Sequence, residues 1–291
     1  MKLLIPVFTL LALCRAQHYT FVGTTGKLYS PNYPSNYDNS DNVVYNIKVP
    51  AGSYIHLTFL DFFTEASYDV LTVENDTTVS GDKTGLSLDI EASDGTLTFT
   101  SDLTTTYRGF VIQFDSVTVG NAFMPSNLCP AQLHNSPFDI ITSPNFPYNY
   151  PDNISCDFLI TVEEDYLISL QFVAFNTEDG YDILSVYDGA NTSATLLGQF
   201  SGKKIPAAIT SSTNTMYLFF ESDLVNNFSG FSGLYTSVEP NNFKRGVLPQ
   251  DGTTESSLQQ KVNLIKWLKK KAQDKATLPK ILPKIDASIA I

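Results

Sequence analysis

Short runs of β-branched and aromatic residues alternate with polar ones along most of the chain. Tyr45-Asn46-Ile47-Lys48-Val49 is followed by Tyr54-Ile55-His56-Leu57-Thr58-Phe59, and Phe158-Leu159-Ile160-Thr161-Val162 by Leu167-Ile168-Ser169-Leu170-Gln171-Phe172. A period of two, broken by Pro-Ala-Gly at 50–52 and Glu-Glu-Asp at 163–165, predicts half-buried antiparallel strands. Leu97-Thr98-Phe99, Val111-Ile112-Gln113-Phe114 and Met216-Tyr217-Leu218-Phe219-Phe220 continue the theme. The expected fold class is all-β, with many short antiparallel strands stacked as sandwiches.

The pattern also repeats. Ser30-Pro31-Asn32-Tyr33-Pro34 and Tyr37 recur as Ser143-Pro144-Asn145-Phe146-Pro147 and Tyr150, a shift of 113 that holds through Glu65 and Glu178 to Tyr68-Asp69 and Tyr181-Asp182. A repeat of this length buries its own core, so it reads as two autonomous domains rather than short stacking units.

Charge divides the chain further. The total is −12, but residues 18–243 carry 6 Lys and Arg against 26 Asp and Glu, whereas residues from 244 onward carry 10 against 4. The acidic body should repel nucleic acid and attract cations or basic protein surfaces. Residues 1–16, with Lys2, an apolar run over 3–13 and Ala16, have the three parts of a secretory signal peptide, and no later apolar run is long enough to span a membrane. The mature protein is expected to be secreted and extracellular.

Three cysteines occur, and Cys14 would leave with the signal segment. Cys129 and Cys156 remain as an even pair, for which an extracellular disulfide is the natural reading. Its cross-link would add roughly 3 to 4 kcal/mol by restricting the unfolded chain. The corresponding positions in the first repeat are Ala16 and Val43, so that repeat must rely on its core. Sequons at Asn75, Asn153, Asn191 and Asn227 mark expected glycosylation sites.

The ordered string Ser-Pro-Asn-Tyr/Phe-Pro-x-x-Tyr, an aromatic-x-Ile strand, Phe-x-x-Phe-x-Thr-Glu, Tyr-Asp, and then Ser-Asp and Gly-Phe resembles the CUB domain. The resemblance covers 19–118 and 127–238, leaving 119–126 as a linker and 239–291 as a tail. It implies antiparallel jelly-roll-like sandwiches, with Cys129 to Cys156 as the family's first disulfide. The second family disulfide is missing from both repeats, and Ala66-Ser67 and Asp179-Gly180 stand in a shortened loop.

The resemblance also implies calcium, one ion or two. Its ligands would be Glu65, Asp69 and Asp102 in the first repeat and Glu178, Asp182 and Asp223 in the second. A carbonyl at Thr104 or Val225 and a side-chain oxygen at Asn226 would complete them; Thr105, in place of an Asn, departs from the pattern. Elementary electrostatics agrees, because three converging carboxylates repel unless a hard, oxygen-seeking cation sits among them. Tyr37 and Tyr150 match a family tyrosine that hydrogen-bonds the ligating Glu. Carboxylates ordered by an ion would accept Lys or Arg from an extracellular protein partner.

No catalytic residue is expected. His18, His56 and His134 form no His-Glu-x-x-His motif, no nucleophile stands beside a base, and His56 reads as an outward-facing strand residue. In the tail, Leu258, Val262, Ile265, Leu268 and Ala272 fall on one face of a predicted helix near 258–276, capped by Ser257 and Gln260 and ended by Pro279. The tail reads first as an extension whose helix docks on a module or stays solvated. Alternatively, Trp267 with Lys266, Lys269, Lys270 and Lys271 suits contact with a partner or a membrane surface, and Lys244-Arg245 offers a dibasic pair at which a secretory-pathway protease could cut. Two alternative functions follow: carriage of a basic membrane-active or defence peptide in the tail, or glycan or lipid binding on the sandwich loops.

Overall fold

The computed structural model describes residues 17–74, 77–123, 129 and 131–240. The signal segment, the sequon at Asn75, Lys244-Arg245 and the tail helix lie outside the described residues. Among the described residues there is no α-helix. The first module contains β1 (Gln17–Val22), β2 (Thr25–Tyr29), β3 (Asn42–Lys48), β4 (Ser53–Phe63), β5 (Val70–Val73), β6 (Thr77–Val79), β7 (Ser87–Ile90), β8 (Asp94–Thr100) and β9 (Gly109–Thr118). The second contains β10 (Gln132–His134), β11 (Phe138–Thr142), β12 (Ser155–Thr161), β13 (Leu167–Asn176), β14 (Ile183–Asp188), β15 (Thr195–Phe200), β16 (Ile209–Thr210), β17 (Thr215–Glu221) and β18 (Gly230–Val238).

Each module is a two-sheet sandwich. Strand order is β1-β3-β8-β5-β6 against β2-β9-β4-β7 in the first, and β10-β12-β17-β14-β15 against β11-β18-β13-β16 in the second. All pairs are antiparallel except β1 with β3 and β10 with β12, which are parallel. The departure follows from connectivity: β2 and β11 lie in the opposite sheet, so the chain reverses twice before β3 or β12. The alternation of β3 and β12 places Val43, Tyr45 and Ile47, and Cys156, Phe158 and Ile160, in the two cores. Cys129 and Cys156 form a disulfide with Cα atoms 5.1 Å apart.

β4 departs from simple alternation, being buried on both faces over nine consecutive residues. A bulge between Phe59 and Asp61 turns Phe59 and Phe62 into the core and leaves Leu60 on the outer face. That face is covered by the second module. Leu60, Tyr33 and Val111 pack with Ile140 and Leu234 in one buried cluster, Ser232 Oγ donates to the Leu60 carbonyl at 2.7 Å, and Lys27 pairs with Asp139 at 2.6 Å. His56 faces outward from its sheet as expected but is not solvated. Phe123 stacks on its ring at 3.8 Å, Tyr148 lies 6.4 Å away, and only 2% of the residue is exposed.

Beside this junction Asp61 is wholly buried. Arg108 grips it with Nε and Nη2 at 2.8 Å, and the Tyr33 hydroxyl donates to it at 2.9 Å. Desolvation, followed by the Asp61 charge, raises the Tyr33 phenol well above its ordinary range. The guanidinium also lies over the Phe63 ring, 4.8 Å from its centroid.

Candidate metal centres

The two repeated Thr-Glu pairs directly follow β4 and β13, where a tight turn carries the chain back to Tyr-Asp. In the first module the Asp69 N–H donates to the Glu65 carbonyl at 3.1 Å, and in the second Asp182 does the same to Glu178 at 3.2 Å. Ser67 and Gly180 take positive φ in these turns, and each N–H donates at 3.0 Å to a serine on the neighbouring strand end, Ser80 or Ser201. The shortened loop is therefore held, not slack. Thr64 and Thr177, to which the sequence reading gave no role, fasten it: each hydroxyl donates to the following Asp carbonyl, at 2.8 and 3.0 Å, and accepts Gly81 or Gly202 N–H. Their signal was present in the recurrence of Thr-Glu at a shift of 113.

Carboxylate oxygens of Glu65, Asp69 and Asp102 lie within 4.8 Å of one another, and so do those of Glu178, Asp182 and Asp223. Asp69 and Asp182 are fully buried and form the floor of each group. Asp69 accepts the Asp102 N–H on Oδ1 at 2.8 Å and the Tyr37 hydroxyl on Oδ2 at 2.5 Å. Asp182 has the same pair of partners in Asp223 and Tyr150, at the same distances. Tyr37 and Tyr150 thus bond the aspartate, whereas their contact with the glutamate is through its backbone: Glu65 and Glu178 N–H each donate to the phenol oxygen at 3.1 Å. One hydroxyl joins two ligand candidates because the phenol both donates and accepts.

Two glutamate oxygens, Glu65 Oε2 and Glu178 Oε2, are buried without a hydrogen-bond partner. Desolvation, then Asp102 and Asp69, raises the Glu65 carboxyl above the usual range. Burial first, and then the bond to the neighbouring Asp, raises Tyr37 and Tyr150 as well, so both phenols stay protonated at physiological pH.

The later loops differ between modules. Asn226, at positive φ, donates its amide to Glu178 Oε1 at 2.9 Å. Thr105, also at positive φ, occupies the matching position, and Thr104 N–H instead caps Asp102 at 2.8 Å, as Val225 N–H caps Asp223 at 2.9 Å. Exposed apolar residues rim both centres: Tyr68 and Leu103 in one, Tyr181, Leu224 and Val225 in the other. Of the sequons, Asn153 and Asn191 are exposed, while the Asn227 amide donates to Asp152 at 2.8 Å.

The chain is similar to several known proteins. Human cubilin is 34% identical over 254 residues, covering 80% of this chain but 6% of cubilin. Human procollagen C-endopeptidase enhancer 1 is 29% identical, covering 78% of this chain and 54% of that protein. The chain thus spans a small fraction of the cubilins and about half of the enhancer. Among solved structures, the MASP-1 CUB2 domain bound to Ca2+ is 29% identical over 37% of this chain and 99% of that one, with a TM-score of 0.34. The CUB-domain family model matches residues 14–114 and 129–235. With both Tyr-Asp turns and nearly all of both sandwiches inside those matched stretches, the chain belongs to the CUB-domain family.

Proposed function

We propose that this chain is a secreted, non-catalytic recognition protein whose two acidic centres each hold a calcium ion and present ordered carboxylates to basic groups of an extracellular protein. The observation that carries the reading is the pair of buried, unpartnered glutamate oxygens, each beside two further carboxylates. A buried carboxylate oxygen without a donor is costly, and a hard cation with oxygen preference removes both that cost and the mutual repulsion. Glu65, Asp69 and Asp102 would hold one ion, and Glu178, Asp182 and Asp223 the other, with Thr104 and Val225 carbonyls within the same loops.

The ion supplies charge and rigidity, and the protein supplies the rest. Tyr37 and Tyr150 fix the aspartate and glutamate together, and the Thr64 and Thr177 hydroxyls set the turn. A Lys or Arg from the partner would meet a carboxylate edge flanked by exposed Tyr68 or Tyr181, whose rings can pack on its aliphatic stem. Thermal unfolding of the mature chain in EDTA and in millimolar calcium tests the ion: binding to the native state alone raises the midpoint. An unchanged midpoint would reject this reading.

A further inference from the structure

The junction between modules joins corresponding faces. Lys27 of β2 meets Asp139 and Ile140 of β11, and the residue matching Lys27 at the repeat shift of 113 is Ile140 itself. Tyr29 meets Phe138 edge-on, with ring centroids 6.1 Å apart. Phe138 matches position 25, so two residues forward on one strand meet two residues back on the other. Val111 and its counterpart Ser232 both sit in the junction as well. These pairings are those of an approximate two-fold axis near Lys27 and Ile140, with β2 and β11 running in opposite senses across it.

Contacts away from the axis keep the same opposed sense. Tyr33, four residues before Tyr37 of the first acidic centre, packs on Phe138 at the far end of the second module's sheet. On the other side, Pro147 and Tyr148, just before Tyr150 of the second centre, lie against Gly85 and His56, with His56 nine residues before Glu65.

From these contacts we infer that the modules are locked face to face in opposite senses, which sends the two acidic centres to opposite ends of the pair, so that the protein bridges two separate basic partners instead of clamping one. The inference rests on the calcium-dependent recognition proposed above. Lys27 pairs through Gln113 with Thr58, and Ile140 through Leu234 with Gln171, each seven residues before the ligating glutamate with one bulge between, so each centre stands roughly 20 Å along its strand from the axis. Two such distances in opposite directions separate the centres by roughly 40 Å, well over about 30 Å. A single lysine side chain or short peptide turn does not span that gap.

The geometry is tested without the ion by double electron–electron resonance between nitroxides at Tyr68→Cys and Tyr181→Cys in the full mature chain, both positions being exposed. One narrow distance near or beyond roughly 30 Å is expected from the strand rise; a short or broad distribution overturns the locked arrangement. Bridging is tested by agglutination of polylysine-coated beads in millimolar calcium, beside Glu65→Ala and Glu178→Ala. Wild type should agglutinate, and each variant should bind beads without cross-linking them. Wild-type binding without agglutination overturns bridging. Absence of calcium-dependent binding, with the long narrow distance intact, overturns the recognition reading and bridging with it, but not the locked junction.

Discussion

The Tyr150 hydroxyl donates to the buried Asp182 carboxylate at 2.5 Å while accepting the Glu178 N–H at 3.1 Å, so one phenol fixes the floor and the wall of the acidic centre together. Removing the oxygen in Tyr150→Phe leaves both groups without that partner. A cost of about 1 to 3 kcal/mol is expected from the unsatisfied groups, with calcium affinity lowered about tenfold, as for other groups that orient metal ligands. Urea unfolding in EDTA reads the first effect and calcium titration the second. Tyr37→Phe should do the same to the first centre.

Proton linkage at Glu65 has a definite sign. Its folded-state pKa is raised, so the ion-free folded state binds more protons than the unfolded chain, and stability in EDTA should increase as pH falls through the raised value. Calcium favours the ionised carboxylate, so its stabilising increment should shrink over the same window. Melting curves with and without calcium between pH 4 and 8 check this; an increment independent of pH would contradict it.

Asp139 behaves in the opposite way. Burial works against its charge, but His134 and Lys27 hold the carboxyl at about 2 against an ordinary value of 3.8. The difference corresponds to about 2 kcal/mol at neutral pH, fully present above about pH 4 and lost as pH falls through the folded-state value. Asp139→Asn should therefore be less stable than wild type at pH 7, with the gap closing towards pH 2. Chemical denaturation at the two pH values measures it.

Arg108→Met would strand the buried Asp61 charge and should cost about 3 to 5 kcal/mol, whereas adding Asp61→Leu should recover most of the loss. Counting the repeat along the last strands, the second module has Ala174 and Ser229 at the matching positions, so the sandwich does not require the pair. A double-mutant cycle by chemical denaturation separates the two outcomes.

Much of each module was legible in the residues. The period-two runs became β3, β12, β13 and β17 because a sandwich strand with one face in the core must alternate. The acidic groups were legible because their members recur in the same local context. The tyrosine's bond to the glutamate is present, through the Glu65 N–H, but a sequence does not show that the same hydroxyl also runs to Asp69.

The junction was not read at all. Leu60-Asp61 between Phe59 and Phe62 breaks the alternation that runs from Tyr54 to Phe59 and puts an apolar residue on the outer face, which is the trace a second covered face leaves. In a chain so rich in acids, Asp61 and Asp139 look like any solvated carboxylate until their partners Arg108 and Lys27, far away in sequence, are brought to them.

Calcium calorimetry on the mature chain addresses the central claim most directly, with Glu65→Ala, Glu178→Ala and the double variant run beside it. The account predicts two ions per wild-type chain in the submillimolar to millimolar range of extracellular modules, one in each single variant and none in the double. Folded wild-type protein that takes up no calcium at millimolar concentrations would contradict it.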